Sequence, residues 1–145
     1  MWSSDNGLGQ LVGKVIERVF MNDEYLVFET DEGRFAFTVE GDCCSHSYFY
    51  DFHGVKKLLE NGPVISVKEV DLGEDEKNDY DVTRCYGFQI FTESDMWGEQ
   101  TSVFSFRNDS NGYYGGWMYA TDADRVMNNI TDTLPELTDD LLSTS

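Results

Sequence analysis

The residues best suited to chemistry lie in one short run, Gly41-Asp42-Cys43-Cys44-Ser45-His46-Ser47, with His53 a little further on. Thiolate sulfur and imidazole nitrogen are zinc ligands, and in an extended chain Cys44 and His46 project from the same face. Cys85 or His53 would complete a tetrahedral site. The run lacks the paired Cys-x2–4-Cys units of structural zinc modules, so the pattern does not require a metal, and no cofactor is expected. A cysteine near a histidine also makes a thiolate–imidazolium nucleophile, but a strongly negative chain raises a thiol pKa and opposes that activation. The remaining reading is structural, with the small cysteine side chains packed beneath an aromatic segment. No catalytic residue is assigned.

A second run, Arg107-Asn108-Asp109-Ser110-Asn111-Gly112-Tyr113-Tyr114-Gly115-Gly116-Trp117, suits recognition. Gly115 and Gly116 permit close backbone approach, while Tyr113, Tyr114 and Trp117 offer stacking faces for a base, a sugar or a partner protein. It is not a phosphate loop, because it lacks the Gly-Lys-Ser/Thr that holds phosphate and metal. Its architectural reading is an Asn-Gly hairpin turn followed by a bulged strand. Asp42 and Asp51 flank the cysteine run, and either could orient a histidine, but carboxylates are too abundant here to single one out.

The elements that must position these runs are mostly strands. Tyr25–Thr30 and Arg34–Glu40 read as a hairpin around Asp31-Glu32-Gly33, with Phe35, Phe37 and Val39 on one side and Arg34, Ala36, Thr38 and Glu40 on the other. An imperfect strand near Lys14–Phe20 precedes them. Val64–Asp71, Val82–Thr92, Thr101–Phe106 and Tyr113–Tyr119 add four more, with Gly87 as a candidate bulge. The aromatic stretch from Ser47 to His53 fits no clean period. Val55–Glu60 forms a short helix stopped by Asn61-Gly62-Pro63, and Thr121 caps a second, with Asp122 and Asp124 in its first turn. About seven strands and two short helices, without strand–helix–strand alternation, predict a mainly antiparallel α+β fold or small β-sandwich. The expected layout is a loose stretch over residues 1–13, one globular domain over 14–130, and an acidic tail over 131–145.

The 145 residues carry 28 acidic and 10 basic side chains, a net charge of −18. With 40% hydrophobic and 14% aromatic residues, this is not the composition of a disordered acidic chain. A folded chain of this mass exposes roughly 7,600 Å², so one net negative charge falls on every ~420 Å². That field excludes a basic surface for nucleic acid or anionic lipid and speeds encounters with basic partners. The acidity could equally be a solvated face typical of the host proteome. Glu69 to Asp81 crowd one segment, read as an acidic loop, without the Asp-x-Asp-x-Asp-Gly layout of a calcium loop. Three cysteines cannot all pair within one chain, so reduced thiols and a cytoplasmic location are expected. No run of 18 apolar residues exists, and MWSSDNGLGQLVG has no signal layout, so no membrane association is expected.

As a pair, GDCCSHSYF and FRNDSNGYYGGW resemble a family of small proteins of unknown function encoded mainly by bacteriophages and some bacteria. The resemblance runs from Gly13-Lys14 to Trp117 and places Gly41 to Ser45 and Asn111 to Gly116 as motif positions. It implies a phage accessory protein, non-enzymatic, acting on host machinery. The expected function is therefore the blocking of a basic host protein, such as a nuclease, a DNA-binding factor or a defence complex. Asp42, Cys43, Cys44, Ser45, His46, Asn111, Tyr113, Tyr114, Gly115, Gly116 and Trp117 form the expected binding surface. The alternatives are a nucleotide-like ligand held in a pocket where the two motifs meet, and a zinc or thiol site at Cys43, Cys44 and His46.

Overall fold

The computed structural model describes residues 7–42, 45–76, 82–94, 98–110, 115–130 and 134–144. Among them are nine strands: β1 Ile16–Met21, β2 Tyr25–Thr30, β3 Gly33–Gly41, β4 His46–His53, β5 Val64–Glu76, β6 Val82–Ser94, β7 Gly98–Ser110, β8 Gly116–Thr121 and β9 Glu136–Leu137. Two short helices, α1 Val55–Glu60 and α2 Ala123–Ile130, complete the set with one 3-10 turn, Leu8–Leu11. The strands form a five-stranded sheet, β8-β3-β2-β1-β9, and a four-stranded sheet, β4-β7-β6-β5, with every neighbouring pair antiparallel. The mainly antiparallel expectation holds, but the strand count exceeds seven.

The two unforeseen strands have physical reasons for escaping notice. In β4 the register shifts between Phe49 and Asp51, so Phe49 and Phe52 both point inward although they are three residues apart. An inserted residue destroys the period of two. β9 is only two residues long, held by Val19 and Phe20 of β1. The acidic segment is also less of a loop than expected: β5 continues to Glu76, which lies opposite Val82, and Glu74 lies opposite Arg84. The expected bulge at Gly87 is absent from β6, whose pairing with β7 runs without a break. The irregularity falls in the facing β5 between Asp71 and Glu74, and Leu72 lies where a Gly87 Cβ would sit, at 2.8 Å.

The sheets face each other across a phenylalanine-rich core. Phe28 of β2 meets Phe52 and Phe104 of the opposite sheet at ring separations of 6.1 Å, and Phe104 stacks on Phe88 at 5.1 Å. A smaller cluster lies on the outer face of the five-stranded sheet, where Ala123 and Val126 of α2 cover Val27 and Ala36, with Leu134 beside them. Asp122 caps α2, its Oδ1 accepting from the N–H groups of Asp124 and Arg125, while Thr121, the expected cap, closes β8. Burial extends past both ends of residues 14–130. Leu8 and Leu11 are buried, and Leu141 exchanges backbone hydrogen bonds with Phe52 at 2.8 and 2.9 Å. Among the described residues no helix is long and apolar enough to cross a membrane.

Candidate functional site

The inward row of β7 runs Phe104, Phe106, Asn108, so the apolar core ends in a fully buried amide. Strand alternation puts these three side chains on one face. Opposite Asn108, Gly41 of β3 pairs with Gly116 of β8. A Cβ on Gly41 would press on Ser45 Oγ and come within 2.6 Å of Asn108 Nδ2. A Cβ on Gly116 would press on Ser47 Oγ and come within 3.0 Å of Asn108 Nδ2 and of the Glu40 carbonyl. The two glycines therefore let the sheets close tightly at this end.

The resulting clasp is polar. Ser45 Oγ donates to the Asp42 carbonyl at 2.6 Å, and Ser47 Oγ donates to the Glu40 carbonyl at 2.8 Å. Each hydroxyl thus has its one proton committed and can only accept from Asn108. Asn108 Nδ2 accordingly donates to Ser45 Oγ at 3.2 Å and to Ser47 Oγ at 2.9 Å, which fixes the amide orientation. Its Oδ1 faces away and is buried, with no hydrogen-bond partner among the described residues. Asp42 ties the ends of β3 and β8 together: its N–H donates to the Gly115 carbonyl, and its Oδ2 accepts from the Gly115 N–H. Gly116 N–H reaches Tyr86 Oη at 3.4 Å.

The two motifs singled out by sequence do meet, through Gly41, Asp42, Ser45, Gly115 and Gly116. Cys43, Cys44, Asn111, Tyr113 and Tyr114 lie outside the described residues. The hairpin expected around Asn111-Gly112 is not formed between the flanking strands, because β8 leaves β7 and pairs with β3 in the other sheet. Trp117 is 43% exposed and lies across from Glu40. His46, also exposed, stacks on Tyr48 at 5.4 Å. His53 stands at the opposite end of β4, where Nε2 lies 3.0 Å from Asp51 Oδ2 and Nδ1 lies 4.0 Å from Asp140 Oδ2. Asp51 also accepts a hydrogen bond from Ser105 Oγ. Cys85 is buried on β6 opposite Arg107. Among the described residues no group of three or more His, Cys, Asp or Glu could hold a metal ion.

Beside the clasp, a groove of about 380 Å³ opens on the outer face of the five-stranded sheet. Thr38 and Glu40 of β3 and Tyr119 and Thr121 of β8 line it, Arg125 borders it from α2, and Glu24 and Tyr25 from the start of β2. Ser45, His46 and Ser47 close the end nearest the clasp. Tyr119 Oη donates to Glu40 Oε1 at 3.1 Å. Burial first, then that bond and the negative charge of Glu40, raise the Tyr119 hydroxyl above its ordinary 10.0, against an opposing pull from Arg125. Sequence reasoning found His46 and Ser45 but missed Glu24, Tyr25, Tyr119 and Arg125. The signal available was the outward row Thr38 and Glu40, whose alternation was legible, but its neighbours across strands follow only from sheet order.

Residues 9–120 match the family DUF7448, a domain of unknown function. The chain belongs to this family. The DUF7448 match thus extends slightly beyond both ends of the span inferred from motifs. An uncharacterized protein, L278, of Acanthamoeba polyphaga mimivirus is 31% identical over 111 residues, covering 71% of this chain and 83% of that one. The relative is thus viral and belongs to a virus of amoebae. No solved structure matches the chain.

Proposed function

We propose that this DUF7448 protein is a non-enzymatic binding protein whose acidic surface engages a basic protein of a host cell. The observation that carries the reading is the charge: −18 on a surface of 8097 Å², one net negative charge for about every 450 Å². Such a density repels itself in the folded state and gains attraction only when a basic surface approaches. The clasp supports the non-enzymatic part. Ser45 and Ser47 have their hydroxyl protons committed to the carbonyls of Asp42 and Glu40, and Asp42 ties β3 to β8, so these three residues have a structural role that needs no reaction. The viral relative supports a viral setting for such a factor.

The test is a salt titration of the whole chain against protamine, a small basic protein. Affinity is expected to fall at least about tenfold between ~0.01 and ~0.15 M salt, as the screening length shrinks from ~30 to ~8 Å. An affinity independent of salt, or none at low salt, overturns the reading.

A second reading, a nucleotide-like ligand, has one observation in its favour: the two motifs meet beside a groove. A bound ligand would raise thermal stability by mass action, so a melting screen against nucleotides decides it. Two carboxylates against one guanidinium make the groove a poor host for phosphate.

A further inference from the structure

The floor of the groove is set by register. Tyr25 pairs with Thr38 and Thr38 pairs with Tyr119, so the two tyrosines stand in one row on β2 and β8 with a short threonine between them. Neighbouring strands lie ~4.8 Å apart, which separates the two tyrosine backbones by roughly 10 Å. That gap admits one flat group between the side chains. Glu40, two residues along β3 from Thr38, stands at one end of the slot, and Glu24 stands at its rim next to Tyr25.

One carboxylate on this face is held by two cations. Glu29 takes Arg34 at 3.1 Å and Arg18 at 3.8 Å. Among the described residues, Glu24 and Glu40 have no such cation. Arg125 borders the groove and offsets one of the two charges, but among the described residues it forms an ion pair with neither, its Nη2 donating instead to Thr121 Oγ1 at 3.2 Å. A guanidinium is planar, stacks on tyrosine and forks onto a carboxylate, whereas an ammonium is a point charge that does neither as well. The chain already contains this stacking geometry, with the Arg107 guanidinium 3.6 Å over the Tyr50 ring.

We propose that the slot between Tyr25 and Tyr119 receives one arginine side chain of the basic partner, its guanidinium flat between the rings and paired to Glu40, with Glu24 at the entrance. The proposal rests on the reading of the chain as a binder of basic protein and adds the anchor point.

The experiment uses the whole chain and a fluorescent nona-arginine peptide, read by anisotropy at low salt. Two doubly substituted chains carry the same change in net charge. One is Glu24→Gln with Glu40→Gln, in the groove; the other is Glu32→Gln with Glu60→Gln, at exposed positions elsewhere. Thermal melts establish that both fold. The groove pair is expected to weaken binding about tenfold or more and the control pair no more than about twofold, with nona-lysine bound more weakly than nona-arginine. Equal weakening by both pairs overturns the slot and leaves the charge-led reading standing. No binding of the peptide by the unsubstituted chain overturns the charge-led reading and the slot with it.

Discussion

Replacing Gly116 by alanine places one methyl group in the clasp. Its Cβ would collide with Ser47 Oγ and stand 3.0 Å from both Asn108 Nδ2 and the Glu40 carbonyl, two of them groups fixed by the sheets. Overpacking of this kind costs about 1–3 kcal/mol. If Ser47 turns aside, it gives up its bond to Glu40 and the one it accepts from Asn108, each about 1 kcal/mol. A loss of about 3 kcal/mol is therefore expected, equivalent to a melting shift of about 6–12 °C for a chain of this size. Gly9→Ala is the control, because nothing lies within 4 Å of its Cβ, and its effect should stay within about 0.5 kcal/mol. Ser47→Ala removes the atom that the new methyl strikes. The double variant should therefore be less destabilised than the sum of the singles by at least about 1 kcal/mol. Denaturant unfolding of the four chains measures all of this. A Gly116→Ala loss below about 0.5 kcal/mol, or strict additivity with Ser47→Ala, would refute the view that these glycines exist for close approach.

Removal of residues 134–145 takes away buried Leu134 and Leu137, the β9 pairing, and the Asp140 carboxylate that accepts from Gly54 and Val55 N–H at the start of α1. Two buried leucines at about 1.5–3 kcal/mol each, plus the cap at about 1, give an expected loss of at least about 4 kcal/mol; a change below about 1 kcal/mol on chemical unfolding would show that the tail is dispensable. The raised Tyr119 hydroxyl has a sign that can be checked. The folded chain holds this proton more tightly than the unfolded chain, so its contribution is complete below pH 10 and is lost as pH rises above 10 toward the folded pKa. Tyr119→Phe should flatten that alkaline decline in the unfolding midpoint, and an unchanged slope contradicts the assigned environment.

Much of the fold was legible where one face is simply buried. The Arg34–Glu40 alternation gave β3 its inward and outward rows, and Gly33, at φ 125°, sits where the turn demands it. The β4 strand was not legible, because a bulge at Phe49–Asp51 puts two core phenylalanines three residues apart. β1 was legible only as an imperfect strand for the same reason, a shift between Ile16 and Arg18 that brings Ile16, Val19 and Met21 inward. The Gly-Gly pair was read as freedom for a ligand or a bulge, whereas Gly116 and Gly41 serve the contact between sheets. That role depends on Asn108, Ser45 and Ser47 arriving from the other sheet, and no local pattern announces such a meeting. The groove depends likewise on β2, β3 and β8 being neighbours, and the position of β8 is set by a crossover rather than a hairpin.

The most direct test of the central claim is native mass spectrometry of the protein isolated, at low ionic strength, from the cell in which it is naturally made. The account predicts a complex with a basic protein that dissociates as salt is raised toward ~0.15 M. A chain carrying zinc or a nucleotide-sized mass, and no protein partner, would contradict it.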